Sequence, residues 1–209
     1  NQQRIISKTA VSGSTGHEWL LTADAGSKPR LFIYFGGTTS ASAQGRRIRF
    51  VIDTAMDPDT WYHLAFSWDG GVGNTAVTGW INGAIKTHGS GATCAQVGDG
   101  STTVVNDAAP VMVGRQSGNY GNLYVDEFAM FNAELDNTKV GEIYNSGEPT
   151  DLSSEDDLVG YWRMGENDSG STITDLSPNS NDMTLNNTDG NDGGIMTDIY
   201  KADGVNVTP

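Results

Sequence analysis

Oxygen-bearing side chains recur in the C-terminal part of this sequence at a spacing that could bind a metal ion. Asp175, Asn179 and Asn181 are close enough for a looped backbone to bring their oxygens together, and Asp126 or Glu127 could add a further ligand. Ca²⁺ takes roughly six to eight oxygen ligands, including Asp, Asn and backbone carbonyls in irregular loops. The sequence therefore predicts a structural Ca²⁺ site at Asp126, Asp175, Asn179 and Asn181. The alternative is a set of Asx turns that need no metal.

Groups that could catalyse a reaction are not arranged for it. The nearest pair of carboxylates, Asp126 and Glu127, is adjacent in the chain, and a β-strand would direct the two side chains to opposite faces. Such a pair cannot flank a glycosidic bond as a retaining hydrolase requires. His17, His63 and His88 are scattered and belong to no zinc-binding or nucleophile motif. We therefore predict no catalytic residues and a protein that is not an enzyme, with a glycoside hydrolase as the remaining catalytic alternative.

Aromatic side chains beside polar ones could bind a sugar. An exposed ring serves as a platform in such sites, and a few placed polar groups fix the orientation of the ligand. The residues that we predict for a site of this kind are Trp19, Trp80, Arg115, Asn119 and Tyr120, with Gln116 as a further polar neighbour. The alternative for each aromatic residue is packing in the core or on a sheet.

The charge of the chain is strongly negative and unevenly distributed. The sequence contains 12 Lys plus Arg and 26 Asp plus Glu, for a net charge of −14. Nine basic and eight acidic residues precede Asp126, whereas three basic and 18 acidic residues lie from Asp126 onward. This balance argues against binding of nucleic acid through a basic face, and fits solvated loops or Ca²⁺ ligation. No apolar run approaches the roughly 18 residues that span a bilayer, so we expect no membrane insertion.

Short runs rich in β-branched and aromatic residues, separated by turn-forming clusters, predict an all-β fold. The clearest runs are residues 31–35, 46–53, 62–68, 77–85, 111–114, 124–131 and 158–164. In the second run, Arg47 and Arg49 alternate with Ile48 and Phe50, so one face of that strand should be apolar. The run from 62 to 68 should direct its even-numbered residues into the core. Three tryptophans in these landmarks are also expected in the core: Trp61, Trp68 and Trp162.

Turn and helix signals fit the same class. Asp69-Gly70 and Asn82-Gly83 predict two hairpins. One helix of about ten residues is predicted between Leu135 and Gly147, with Asp136 as its N-cap and Gly147 closing its end. Residues 89–107 are predicted to form a long surface loop or a weak edge ribbon. Residues 186–209 should form an extended arm that orders against a neighbour.

Several of these segments together resemble one family. Residues 58–70 (PDTWYHLAFSWDG), 77–83 (VTGWING), 113–115, 124–131 (YVDEFAMF) and 144–147 (YNSG) are similar, in this order, to strands and the short helix of laminin-G-like, concanavalin-A-like jelly-roll domains. Residues 158–166 with 175–182 resemble a motif that usually opens the domain, although here it follows the helix. Because the chain also starts at Asn1 without the usual first strand, we expect either a missing preceding segment or the start of a second copy.

The sequence of residues 162–166 (WRMGE) resembles segments of structural proteins of tailed bacteriophages, especially marine ones. The resemblance implies a laminin-G-like β-sandwich at residues 1–157, with residues 158–209 as a closing strand or second copy plus an acidic arm. It implies a non-enzymatic structural or adhesion module on a virion surface, which contacts neighbouring subunits, self-associates or binds host surface glycans. The alternative is a secreted, Ca²⁺-dependent, lectin-like carbohydrate-binding module.

Overall fold

The computed structural model describes residues 2–9, 17–36, 46–98, 100–105, 109–116, 119–165, 168–169 and 171–184, and divides into two compact units, Asn1–Tyr124 and Val125–Pro209. Its described residues are mainly β-structure with one short α-helix, which confirms the all-β class. The predicted boundary after residue 157 falls inside the second unit. The predicted arm at residues 186–209 lies outside the described residues. Among the helices of the described part, none is long and apolar enough to cross a membrane.

One large sheet forms the first unit. Its strands are β1 (Gln3–Thr9), β2 (His17–Ala23), β3 (Pro29–Phe35), β4 (Arg46–Ile52), β5 (Leu64–Trp68), β6 (Val77–Ile81), β7 (Ala84–His88), β8 (Gly91–Val97) and β9 (Val111–Val113). The nine strands follow the order β5-β6-β7-β8-β4-β3-β2-β1-β9. Neighbours are antiparallel except β7 and β8, which pair in parallel over a short stretch. A hairpin of β10 (Arg115–Gln116) and β11 (Asn119–Tyr120) follows β9.

Alternation along β4 decides which face of the sheet is buried. Its even-numbered apolar side chains are fully buried, as predicted: Ile48, Phe50 and Ile52. Phe50 meets Phe66 of β5 edge to face, with the ring centroids 6.2 Å apart. The sheet therefore curls so that β5–β7 cover the apolar face of β4, and the core lies between these two layers.

Close approach of β6 to β4 requires a glycine. A Cβ on Gly79 would lie 2.7 Å from the Phe50 ring, which is closer than a methyl group can sit. The aromatic and aliphatic side chains predicted to face this core do pack against it: Tyr62, Leu64, Phe66 and Trp68. The prediction for Trp61 is wrong, since it precedes β5, has the opposite parity and is 48% exposed.

The two predicted hairpins differ in their turns. Asn82 and Gly83 have φ values of 49° and 71° and join β6 to β7 directly, which confirms the tight turn. Trp68 pairs with Val77, so the hairpin at Asp69-Gly70 has a longer connection than predicted. There the Asp69 carboxylate accepts a hydrogen bond from the Gly71 amide at 2.7 Å and shapes the loop.

The prediction for residues 89–107 is wrong in its first half. Residues 91–97 form β8, which is an inner strand paired with β4 and β7. Ala92 and Cys94 are 2% and 4% exposed and pair with Ile52 and Phe50 of β4. Because their side chains are small, they give little hydrophobic signal in the sequence. Tertiary burial therefore outweighs the weak local preference of this segment.

The second unit contains β12 (Phe128–Phe131), α1 (Asn137–Tyr144), β13 (Leu158–Trp162), β14 (Thr172–Ile173) and β15 (Met183–Thr184). Strands β12 and β13 pair antiparallel, and Leu152, Leu158 and Tyr161 form its core. The helix confirms the predicted N-cap, because the Asp136 side chain accepts from the Lys139 amide at 2.8 Å. Its end is taken by Asn145 in a left-handed conformation, φ 41°, rather than by Gly147.

Candidate functional site

A cleft lined by arginine side chains lies on the outer face of the first unit's sheet, opposite the core. Strands β1 to β4 and β10 supply its walls. The register of β2, β3 and β4 brings Leu20, Phe32 and Arg49 side by side, with Tyr34 beside Arg47 on the next row. The cleft has a volume of about 360 Å³. Its lining residues are Gln2, Arg4, Leu20, Arg30, Phe32, Tyr34, Arg47, Arg49 and Gln116.

Aromatic rings hold the guanidinium groups in place. The Arg30 and Arg47 guanidinium carbons each lie 5.7 Å from the centroid of the Phe32 ring. Phe32 stacks on Tyr34, with centroids 6.0 Å apart and an angle of 19° between the rings. Arginine over an aromatic face is attracted by the ring quadrupole, so these contacts orient the cations without neutralising them.

Part of the hydrogen-bonding capacity of the cleft is satisfied internally. Arg30 donates to the Asp24 carboxylate at 2.6 Å, and Arg4 donates to the Gln2 side-chain oxygen at 2.8 Å. Burial alone would raise the pKa of Asp24, but hydrogen bonds from the Lys28 and Gly26 amides and from Arg30 hold that pKa below its usual value. Asp24 therefore stays ionised and balances one of the four arginine charges.

Other donors of the cleft remain open. The buried Nε atoms of Arg4, Arg30 and Arg49 have no hydrogen-bond acceptor within the described part of the chain. A buried N–H without an acceptor costs free energy, and the guanidinium groups that carry these atoms line the cleft, where charged N–H groups form strong hydrogen bonds with an anion. Burial raises the pKa of Tyr34 above its usual value, against the opposing effect of Arg47 and Arg4, so its hydroxyl stays protonated.

The residues predicted for a sugar site are only partly brought together. Arg115 and Tyr120 pair across the β10–β11 hairpin, with the guanidinium carbon 5.3 Å from the ring centroid, and Tyr120 is 54% exposed. Asn119 is exposed on the same hairpin and pairs with Gln116, whose side chain reaches the cleft. Gln116 thus connects this predicted site with the arginine cleft.

The two tryptophans of that prediction lie elsewhere. Trp80 is 2% exposed, so the prediction that its ring forms an exposed platform is wrong. Protein atoms cover the ring and leave no face for a ligand. Trp19 is half-buried and pairs with Ile33, so it points to the core side of the sheet and away from the cleft.

Three of the four predicted metal ligands converge on the backbone of β13. The Asp175 carboxylate accepts hydrogen bonds from the Tyr161 amide at 2.8 Å, from the Ser177 amide and hydroxyl at 2.9 Å each, and from the Asn181 amide at 2.7 Å. The side-chain amides of Asn179 and Asn181 donate to the Val159 carbonyl. Protein donors thus use both oxygens of Asp175.

These hydrogen bonds tie the loop to β13. Hydrogen bonds from those amides hold the pKa of Asp175 below its usual value, although burial acts in the opposite direction. Within the described ranges, no three His, Cys, Asp or Glu side chains form a group that could hold a metal ion. The Ca²⁺ site stays a prediction, and the hydrogen bonds are of the kind that its metal-free alternative describes.

The fourth predicted ligand, Asp126, precedes a partly buried ionic network in the second unit. The Glu127 carboxylate accepts from Arg163 at 2.9 Å and from the Tyr161 hydroxyl. Glu127 has φ 51°, so the Asp126-Glu127 pair lies outside a strand, unlike the arrangement assumed in the sequence analysis. Burial, reinforced by the Glu127 charge, raises the pKa of Asp126 to about 7.

The arginine cleft as a whole was not predicted. Its one sequence signal is the pair Arg47 and Arg49, which alternates with the apolar residues Ile48, Phe50 and Ile52 of the opposite face. Arg4 and Arg30 come from other strands, and only the sheet register places them nearby. Comparisons with protein-family models, curated proteins and solved structures find no match to this chain.

Proposed function

We propose that this chain is a non-enzymatic structural or adhesion module that binds an anionic ligand in the arginine cleft of its first unit. The observation that carries the proposal is the convergence of four arginines on one cleft. Three of them have a buried Nε that lacks an acceptor in the described residues. The described residues of this cleft are arginines, amides and apolar or aromatic side chains, and the chemistry of such a set is recognition of negative charge.

The charge of the first unit supports this proposal. That unit contains nine basic and eight acidic residues, and four of the nine basic residues line this one cleft. Charged groups in a cleft with low-dielectric walls focus the field and attract ions of opposite sign.

We further propose that the fold is a laminin-G-like, concanavalin-A-like jelly-roll sandwich and that the module acts on a virion surface, where a host surface glycan or a neighbouring subunit supplies the anion. The support is the ordered set of sequence motifs together with an all-β sheet that curls around one core. A secreted, Ca²⁺-dependent, lectin-like module is the second candidate, and it is favoured by the exposed Tyr120 ring beside Arg115.

An array of acidic and neutral glycans, read with and without Ca²⁺, tests the proposal. We expect binding to acidic glycans, weakened about tenfold in Arg49→Gln because a charged hydrogen bond is lost. Arg46→Gln is the matched control, since Arg46 lies on the same strand, carries the same charge and does not line the cleft. Equal effects of both substitutions, or no binding of any anion, would contradict the proposal. Ca²⁺-dependent binding of neutral glycans that Tyr120→Ala abolishes would favour the lectin-like module.

A further inference from the structure

We infer that the ligand of the arginine cleft is a saccharide that carries carboxylate groups, such as a polymer containing uronic acids. This inference rests on the proposed function, because it names the chemical class of the anion at that same site. Three features of the cleft carry it: the kind of cation, the position on the sheet and the neutral groups between the cations.

The cations that line the cleft are arginines, with no lysine among them. A guanidinium group presents a planar fork of N–H donors that matches the two oxygens of a carboxylate, whereas an ammonium group acts as a point charge. One arginine of the cleft already holds a carboxylate, since Arg30 donates to Asp24 at 2.6 Å. Arg49 lines the same cleft and carries the same planar guanidinium group.

The position of the cleft argues against an extended acidic peptide. Strands β1 to β4 are inner strands, each paired with a neighbour on both sides. A peptide that adds to a sheet needs an open strand edge with free backbone groups, and the face of inner strands offers none. Recognition here must therefore use side chains alone, which suits a ligand that carries its own hydroxyl and carboxylate groups.

The uncharged side chains that lie between the arginines of the cleft suit the hydroxyl groups and the C–H face of a sugar ring. Gln2 and Gln116 supply amide donors and acceptors, and Tyr34 supplies a protonated hydroxyl. Phe32, which is only partly buried, supplies apolar surface for the C–H face of a ring. The volume of about 360 Å³ lies at the small end of ligand sites, which suits one or two sugar rings of a longer chain.

Four polymers distinguish the outcomes when the full chain is titrated with each at the same charge concentration: polygalacturonate, its carboxyl-reduced neutral form, dextran sulfate and polyglutamate. We expect polygalacturonate to bind most tightly and its reduced form not to bind. Arg49→Gln should weaken polygalacturonate binding about tenfold, and Arg46→Gln should change it less than about twofold. Arg49→Lys keeps the charge without the fork, so we expect it to weaken polygalacturonate binding, though less than Arg49→Gln does.

Each contrary result overturns a stated part of the reasoning. Dextran sulfate or polyglutamate that binds through Arg49 as tightly as polygalacturonate would refute the carboxylated saccharide and leave the anion-binding function in place. Binding of no polymer, or binding that Arg46→Gln reduces as much as Arg49→Gln, would refute both. Far-ultraviolet circular dichroism of each variant checks that it is folded. If Arg49→Gln is unfolded, Arg49→Lys and Gln116→Ala decide the result, because loss of the Gln116 amide should still weaken polygalacturonate binding.

Discussion

Substitution of Asp175 by Ala should destabilise the second unit more than any surface change. The Asp175 side chain is buried and accepts three backbone amide hydrogen bonds and one hydroxyl hydrogen bond. A hydrogen bond to a charged group contributes roughly 1.5 kcal/mol at the low end, so the three amides alone amount to about 4.5 kcal/mol. Because a domain is stable by roughly 5–15 kcal/mol, this loss would remove much of the stability of the unit.

Urea unfolding combined with hydrogen exchange and mass spectrometry measures this effect within the second unit. In Asp175→Ala we expect a lower unfolding midpoint and faster exchange at the amides of Tyr161, Ser177 and Asn181. Asp156→Ala is the control, since Asp156 is exposed. The pKa of Asp175 is lowered in the folded state, so its contribution is present above pH of about 4 and is lost as pH falls through the folded pKa. The reasoning is refuted if both variants unfold at the same midpoint at pH 7 with unchanged exchange.

Three further predictions concern a carboxyl group, a glycine and the Ca²⁺ site. Asp126 has a pKa raised to about 7, so the folded state holds a proton that the unfolded state has lost, and stability should fall as pH rises from about 4 to 7. Asp126→Asn should therefore raise the free energy of unfolding by about 2 kcal/mol at pH 8 and change it little at pH 4. This value is about half of the free energy that corresponds to the full pKa shift, because the carboxyl group is partly exposed. An equal effect of the substitution at both pH values would contradict this reasoning. Gly79→Ala should cost about 2 kcal/mol in urea unfolding of the first unit because its methyl group would overlap the Phe50 ring, while Gly141→Ala, in an open helical position, should not destabilise; equal effects would refute the close packing. If Asp175, Asn179 and Asn181 bind Ca²⁺, chelation should lower the melting temperature and remove bound calcium found by elemental analysis; no change in either would exclude the site.

Local rules of sequence were sufficient where neighbours along the chain decide the structure. The alternation in β4, the Asn82-Gly83 turn and the Asp136 helix cap each depend on residues within one short segment. The confirmed predictions are of this kind. Segment β8 was missed because Ala92 and Cys94 become buried only when β4 and β7 lie on either side.

The candidate site was less predictable than the fold for a related reason. Arg4, Arg30 and Arg47 come from three strands, and none of these positions is unusual for a polar sheet face. Their proximity follows from pairing register, which a single sequence does not specify. Trp80 was predicted to be an exposed platform for a sugar, and that prediction is wrong. Its side chain lies on the face of β6 that points away from the core, yet other protein atoms bury it.

The pairing of β1 with β9 has a consequence for folding kinetics. Ile6, Ser7 and Lys8 pair with residues 111–113, and the Ser7 hydroxyl donates to the Arg115 carbonyl across 108 positions of sequence. Contacts of such long range close slowly, and during synthesis the N-terminal strand must wait for more than 100 residues to leave the ribosome. Gln116 can join the cleft only after this closure, so the cleft should be among the last parts of the first unit to assemble. Ligand binding would then select chains that have completed folding.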